Sequence, residues 1–262
     1  MNPRNFGPFA RVRSEAVASF KTFVRRRTAV FFTFVFPVLL VLIFAGLVGT
    51  GAPGSGLFAE STEYYVPAYL ATVVLFTPLS RVGSEVARYR EDNRFEKLAT
   101  TPITRFEWLA AQTLVNVVLI LVAAIVILVS LLVLGTTVVP SPWIVPFVVV
   151  GSVLFCGLGA VIGRIADSQD GAISMANGIA LPVLFLSETF IPTAIFPKWF
   201  QTVPLFSPLT YFARGIRTAT AVPVEATGPL SGLGVEGYFL LTATFAIVAF
   251  VLGGRALAWT ES

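Results

Sequence analysis

The chain has 262 residues, of which 56% are hydrophobic and only 12% are charged, with a mean hydropathy of +0.84 and a net charge of +4. A soluble domain carries roughly 25% charged residues, so this composition argues against a soluble domain and is typical of a membrane protein. Histidine is absent and cysteine occurs once, which excludes an internal disulfide, a cysteine cluster for a metal and a histidine general base.

The N-terminal segment, residues 1–28, combines seven basic residues with apolar residues at helical spacing. The spacings of three and four place one set of apolar side chains on one face of a helix. This set comprises Val12, Ala16, Phe20, Phe23 and Val24. A stripe of this kind with a basic opposite face predicts an amphipathic helix in the membrane interface. The alternative is a solvated basic tail.

Long apolar runs predict six transmembrane helices, because a hydrocarbon core of about 30 Å requires about 20 apolar residues per helix. These spans cover residues 29–48, 64–84, 108–134, 143–165, 173–186 and 238–257. Thr104 and Glu107 have capping-box spacing, which predicts that the third helix begins near Arg105. The expected fold is therefore a single all-α membrane domain over residues 1–262.

The densest run of charge, residues 87–107, lies between the second and third spans. It cannot lie in hydrocarbon, because each charge there costs about 2.5–3.5 kcal/mol, and it is predicted to be a loop in water. With a cytoplasmic N-terminus, 15 of the 18 basic residues fall on the inner side. Because basic residues mark cytoplasmic loops, both termini and this loop are predicted to be cytoplasmic, in a multi-pass plasma-membrane protein. The positive charge therefore indicates lipid and not nucleic acid as a partner.

The segment 187–234 is too apolar for a free outer loop, and its prolines forbid one continuous span. It predicts a pair of short amphipathic or re-entrant helices at the outer face, packed against the spans. Glu188 at its start has two interpretations that the sequence leaves open. Its carboxylate either faces the transport pathway and selects cations, or lies at the outer interface, where it pairs with Lys198 or caps a short helix.

Two motifs carry a resemblance to the membrane permeases of the ABC-2 type transporters, which extends over nearly the whole chain. The first is matched by Arg90, Glu91, Glu96, Leu98, Thr101, Pro102 and Ile103, with Asn93 in place of the usual glycine. Asparagine still tolerates a turn with positive φ. The second is matched by Ser187, Pro192, Pro197, Trp199, Pro208, Leu209, Thr210, Tyr211 and Arg217, with Glu188 in place of a glycine.

The resemblance implies that the loop between spans two and three forms a coupling helix that docks on a separate ATPase subunit. The coupling residues are then Arg90, Glu91, Asp92, Arg94, Phe95, Glu96, Lys97, Leu98, Thr101 and Pro102. The outer re-entrant segment or pathway would comprise Ser187, Glu188, Phe190, Pro192, Pro197, Trp199, Pro208, Tyr211 and Arg217. Charge would set the register of docking, and the aromatic Phe95 would anchor it.

The resemblance further implies an exporter of two permease copies, identical or closely paralogous, and two ATPase subunits. ATP and Mg²⁺ would be bound by the ATPase, because this chain has no P-loop signature. We expect no catalytic residue, cofactor or metal in the chain itself, and so no enzyme activity of its own.

Two other functions are weighed against this one. A self-sufficient secondary carrier needs ionisable residues in the membrane to bind its coupling ion, and only Glu85 and Glu188 are candidates. A non-transporting membrane scaffold, of the lipoprotein-release or division type, is disfavoured because the sequence contains no large extracytoplasmic domain.

Overall fold

The computed structural model describes residues 7–43, 62–136, 139–190, 196–222, 230 and 232–257, and these residues form helices and no strands. The α-helices are α1 (Pro8–Arg25), α2 (Arg27–Val41), α3 (Val66–Glu91), α4 (Arg94–Ala99), α5 (Arg105–Val133), α6 (Ile144–Ile165), α7 (Gln169–Leu186), α8 (Pro208–Ala219) and α9 (Val235–Ala256). Two 3₁₀ turns, Thr62–Tyr65 and Val203–Phe206, precede α3 and α8. The predicted all-α class is confirmed for this part of the chain.

Four helical segments are long and apolar enough to cross a membrane. They are Glu63–Glu91, Arg105–Val133, Ile144–Ile165 and Val235–Ala256. Helix α2 is also apolar, but its 15 residues are fewer than a full span, and residues 44–48 of the predicted first span lie outside the described residues. Helix α7 has 18 residues and carries Gln169, Asp170 and Asn177 in its otherwise apolar sequence.

Helix α6 lies at the centre, where glycines allow the backbones of α3 and α9 to approach it closely. A Cβ atom at Gly163 would lie 2.4 Å from the carbonyl oxygen of Gly83 in α3. Where α6 meets α9, a Cβ atom at Gly157 would lie 2.3 Å from the carbonyl oxygen of Ala249. Small residues of this kind let apolar helices pack through close van der Waals contact.

The basic N-terminal helix α1 packs along α5. Ala16 and Phe23 contact Val115 and Leu119 of α5, and Arg11 forms an ion pair with Glu107 at 2.5 Å. The packed face differs in part from the predicted stripe, because Phe20 and Val24 are 40% and 54% exposed. A helix that packs on a neighbour buries a narrower stripe than one that lies only in lipid, which leaves these two side chains on its outer flank.

Helix α5 begins as predicted. The Thr104 hydroxyl accepts a hydrogen bond from the Glu107 amide, and the Glu107 carboxylate accepts one from the Thr104 amide at 2.7 Å. This capping box satisfies two backbone donors that a helix start otherwise leaves without partners.

The close packing of α6 on α9 predicts the effect of one added methyl group. Gly157→Ala should destabilise the protein by about 1–3 kcal/mol, because its Cβ meets backbone and not a movable side chain. Gly178→Ala in α7 is the matched control, since nothing lies within 4 Å of its Cβ position. The control should be neutral or stabilising by up to about 1 kcal/mol. Thermal unfolding in one detergent compares the two, and equal effects would contradict the packing.

A second prediction concerns Glu15 in α1. Burial is the main cause that raises the pKa of its carboxyl above the usual range, and the Tyr89 hydroxyl donates to it at 3.5 Å. A raised folded-state pKa means that ionisation favours the unfolded state, so stability falls as pH rises through that pKa. Glu15→Gln should therefore raise Tm at pH 7 and lose that advantage below about pH 4. A pH series of Tm values tests this, and a Gln variant less stable at pH 7 would contradict it.

Candidate functional site

The charged segment 87–107 is more helical than a simple loop. Helix α3 continues to Glu91, and Asn93 adopts φ +51°, which turns the chain into the short helix α4. The left-handed backbone at Asn93 agrees with the tolerance of asparagine for positive φ. Residues 100–104 then lead into α5. Helix α4 is thus a one-and-a-half-turn element held between the ends of two long helices.

Phe95 points into the protein. It is 4% exposed, and its ring centroid lies 5.3 Å from that of Tyr89 in α3 and 5.4 Å from that of Trp108 in α5. The hypothesis that Phe95 anchors a docking partner is therefore not supported by its buried position. The reason is that three rings of α3, α4 and α5 gain more from burying one another than from contact with water.

The opposite side of α4 and its flanks is a solvated, charged surface. Its exposed members are Glu91, Asp92, Arg94, Glu96, Lys97, Thr101 and Pro102, while Leu98 is partly buried. Arg94 and Asp92 form an exposed ion pair at 2.9 Å. We name this set, without Leu98, the α4 surface. It carries both signs of charge on a rigid support and presents them in one small area.

Arg90 turns away from the α4 surface and joins α3 to α6. Its Nη1 atom donates to the carbonyl oxygens of Arg164 at 2.8 Å and Ala166 at 3.0 Å, at the C-terminal end of α6. Glu91 accepts a hydrogen bond from the backbone amide of Gln169, at the start of α7, at 2.8 Å. A cation at a helix C-terminus and an anion at a helix N-terminus both match the helix dipole. The ends of α3, α6 and α7 are therefore linked.

A second polar cluster is buried where α7 ends. Both carboxylate oxygens of Glu188 accept hydrogen bonds from Arg214 of α8, from Nε at 2.9 Å and from Nη2 at 2.6 Å. The exposed fractions of these residues are 3% and 0%. The Glu188 carboxylate therefore does not face an open pathway, pair with Lys198 or cap a short helix, which are the roles that the sequence leaves open. The partner of Glu188 lies 26 residues away, and only the folded chain brings it near.

Arg217, one turn after Arg214, holds the backbone of the same segment. Its Nη2 atom donates to the carbonyl oxygens of Glu188 and Thr189 at 2.7 and 2.8 Å, and its guanidinium lies 4.2 Å from the ring centroid of Tyr64. Glu188 adopts φ +56°, a backbone conformation that favours glycine. Arg214 and Arg217 together stabilise this turn, although its backbone conformation is unfavourable for a residue with a side chain such as Glu188.

The other predicted residues of the outer segment divide by burial. Ser187, Phe190 and Tyr211 are buried beside the Glu188 turn, and the Tyr211 hydroxyl donates to the carbonyl oxygen of Leu205 at 2.5 Å. Pro208 occupies the first turn of α8, while Pro197 and Trp199 are exposed, Trp199 by 77%. The predicted Pro192 lies outside the described residues.

Sequence reasoning missed a cavity of about 770 Å³ between the α1–α2 junction, α2, α3 and α7. Its α3 wall consists of Thr72, Val73, Phe76, Thr77, Ser80, Arg81, Ser84 and Glu85. From Thr77 onward, the polar members Thr77, Ser80, Arg81, Ser84 and Glu85 occupy positions i, i+3, i+4, i+7 and i+8, which places them on one face of α3. That polar stripe within an apolar span is the signal from which the cavity could have been predicted.

A comparison with protein-family models finds that the ABC-2 type transporter family matches residues 12–220. The match extends from α1 to the end of α8 and includes the α4 surface, the Glu188 turn and the cavity walls. No curated protein matches the chain.

Because Glu188 and Arg214 form a buried ion pair, removing the charge of Glu188 should strongly lower the stability of the protein. Glu188→Gln should destabilise the protein by about 3–5 kcal/mol, because it leaves the Arg214 guanidinium buried without its counter-charge. The control Asp92→Asn breaks the exposed pair with Arg94 and should cost less than about 1 kcal/mol. Thermal unfolding in detergent measures both. A Glu188→Gln variant as stable as the wild type would show that the pair does not hold the turn.

Proposed function

The chain belongs to the ABC-2 type transporter family, and we propose that it is the permease subunit of an ATP-driven exporter. Its four apolar helices of spanning length and its family identify a membrane protein with a transport role. The energy source we propose is a separate ATPase subunit, which binds ATP and Mg²⁺ and docks on the α4 surface. The observation that carries the proposal is that surface: a charged, exposed element held rigidly between two apolar helices.

We propose that α2 and α7 complete a set of six spans with the four longer helices. Helix α2 is then the first span, and the 18-residue helix α7 is the fifth. The distribution of basic residues supports cytoplasmic termini in the plasma membrane. Of the three basic residues on the outer side, Arg214 and Arg217 are buried in the protein, which leaves Lys198 as the exposed one among them. When buried residues are left out, the outer side therefore has fewer basic residues than the sequence count gives, and the positive-inside bias is stronger.

In the proposed function, Phe95 holds α4 against its neighbouring helices and does not contact the ATPase. Its contacts with Tyr89 and Trp108 hold α4 against α3 and α5, so a displacement of α4 by the ATPase is passed to both helices. Arg90 also links α3 to α6, because it donates hydrogen bonds to carbonyl oxygens at the end of α6. Docking itself then rests on the exposed charges Glu91, Asp92, Arg94, Glu96 and Lys97. Charges at the rim of an interface set its register and its association rate.

We propose that transport follows the face formed by α2, α3 and α7, where the cavity lies. A second permease copy, identical or closely paralogous, would close this face on the other side. Helices α2 and α7 support such an arrangement, because they expose large apolar side chains over much of their length, among them Phe32, Phe36, Ile179 and Phe185. The outer segment after α7, which we propose to be re-entrant, would cap the pathway at the far side of the membrane.

The burial of the acidic residues disfavours the secondary carrier. Glu85 forms ion pairs with Arg88 and, at 3.8 Å, with Arg26, and Glu188 is bound by both donors of Arg214. A carrier that couples to protons or sodium ions requires a carboxylate that can exchange its partner. Both candidates are instead held by arginine, which remains charged at any physiological pH.

The experiment is co-purification with the candidate ATPase from membranes that contain both chains. Glu96→Arg should reduce association and permease-dependent ATP hydrolysis by about tenfold or more, because it reverses a charge at the centre of the α4 surface. Glu236→Arg is the control, since Glu236 is also exposed, in the first turn of α9, and lies on the outer side in the proposed topology. It should behave as the wild type.

Two results would contradict the proposal. Undiminished association of the Glu96→Arg variant would remove the α4 surface as the docking site. Transport by the purified chain in vesicles without any ATPase, driven by an ion gradient, would establish the secondary carrier instead.

A further inference from the structure

The wall of the cavity differs from the rest of the bundle in how its hydroxyl groups are bonded. At most positions in the described α-helices, a serine or threonine hydroxyl donates to a backbone carbonyl oxygen one turn earlier, as in Thr113, Ser152 and Thr242. The helical hydroxyls without a hydrogen-bond partner in the described part of the chain are those of Thr28, Thr33, Thr77, Ser80 and Ser174. All of them except Ser174 line the cavity.

These hydroxyl groups are open to the cavity. Thr33 is only 6% exposed, and Thr77 and Ser80 are half-buried, yet protein atoms do not enclose their hydroxyl oxygens. Because the three residues line the cavity, the accessible surface of these oxygens belongs to its wall. Each hydroxyl can donate one hydrogen bond and accept two. The wall therefore presents hydrogen-bonding groups that the described residues leave unused.

A backbone acceptor adds to this set. Pro37 lies inside α2 and has no amide hydrogen, so the carbonyl oxygen of Thr33, four residues earlier, lacks its usual helical donor. Both residues line the cavity, and Asn177 of α7 contributes a side-chain amide to the same lining. A carbonyl oxygen that proline frees within a membrane helix is normally satisfied by a neighbouring group. A hydroxyl group on a ligand would supply that donor here.

The charged side chains of the lining, Arg26, Arg81 and Glu85, already have partners in the protein. Glu85 forms an ion pair with Arg26 at 3.8 Å. Arg81 donates to the Ser19 hydroxyl at 2.6 Å and to the Gln112 side-chain oxygen at 3.1 Å. A charged ligand would lose its hydration without meeting a charge that is free of partners, which is costly in an apolar environment. The groups that remain open to a ligand are neutral.

The apolar part of the lining includes the rings of Phe32 and Phe36 in α2 and of Phe76 in α3. Aromatic side chains of this kind offer a large apolar surface to a hydrocarbon or ring body. The cavity volume of about 770 Å³ lies within the range of cavities that hold drug-sized molecules. The lining thus combines neutral hydrogen-bonding groups with an apolar surface.

We propose that this cavity binds an uncharged amphiphile that carries several hydroxyl groups, such as an alkyl glycoside. The hydroxyl groups of the ligand form hydrogen bonds with Thr33, Thr77 and Ser80, and its apolar body packs against the phenylalanine rings. The inference deepens the proposed function by naming the class of ligand. It rests on that function only for the fate of the ligand, since binding requires neither ATP nor the ATPase.

The test uses the full chain in nanodiscs of phosphatidylcholine, which carries no net charge. Binding of radiolabelled octyl glucoside is measured after subtraction of binding to protein-free nanodiscs. The competitors are octyl phosphate, octyltrimethylammonium, octanol and glucose. Octyl glucoside should bind about tenfold more tightly than either charged amphiphile, because the charge must be desolvated. Octanol has only one hydroxyl group and glucose has no apolar body, so both should compete poorly.

The double variant Thr77→Val/Ser80→Ala removes two open hydroxyl groups with little change of shape, and it should weaken octyl glucoside binding by about tenfold. Thr244→Val/Ser174→Ala is the matched control, because it removes the same two groups from exposed positions that do not line the cavity. It should bind as the wild type. Asn177→Trp keeps the hydroxyl groups but fills the cavity from α7, and it should abolish binding while the protein elutes as a folded species in size exclusion.

Four outcomes would overturn the inference. Equal losses in the two double variants would show that the cavity hydroxyls are not the binding groups, and equal affinity for a charged amphiphile would remove the preference for an uncharged ligand. Displacement by octanol as effective as that by octyl glucoside would indicate a purely apolar site. Absence of saturable binding would show a cavity that holds only water or bilayer lipid. The ATPase association measured above is independent of all four, so a failure of this inference is distinguishable from a failure of the proposed function.

Discussion

Hydrocarbon does not solvate charge, so each ionised side chain that a membrane helix carries into its interior must find a partner within the protein. The chain meets this constraint in different ways. Glu188 and Arg214 neutralise each other through two hydrogen bonds, and Arg217 binds backbone carbonyl oxygens. Arg90 binds the carbonyl oxygens at the end of α6. Arg81 donates to the Ser19 hydroxyl and the Gln112 side-chain oxygen, which are neutral acceptors as well.

Helix α3 connects the functional parts of the molecule. Its polar stripe lines the cavity, and its last turn carries Arg90 and Glu91, which bind the ends of α6 and α7. Tyr89 in the same turn packs against Phe95 of α4. The proposed docking surface and the cavity are thus attached to one continuous helix. A displacement of α4 would reach the cavity wall at Glu85 through about one turn of hydrogen-bonded backbone from Tyr89, which is a stiff connection.

The helices of the bundle pack more closely on one side than on the other. Helices α3, α6 and α9 approach so closely that a methyl group on Gly157 or Gly163 would meet backbone atoms. Helices α2 and α7 lie at the edge of this block, where Gly178 has no neighbour and large apolar side chains are exposed. The cavity occurs where the close packing ends, between α3 and these two helices. Glycine contacts therefore hold one side of α3, while its other side remains available for a ligand or a second subunit.

Much of the fold could be predicted from residues that lie close together in the sequence. Apolar runs, the Thr104–Glu107 capping box, the turn at Asn93 and the family resemblance all depend on residues close together in the chain, whose preferences are set by helix geometry and backbone sterics. The tertiary structure alone decided that Phe95 faces inward, that Glu188 pairs with Arg214, which face of α1 is packed, and that a cavity opens beside Arg81. These four features rest on contacts between helices that are distant in sequence. Hydropathy and spacing determine that a side chain must be buried or satisfied, but only the packed arrangement determines by which partner.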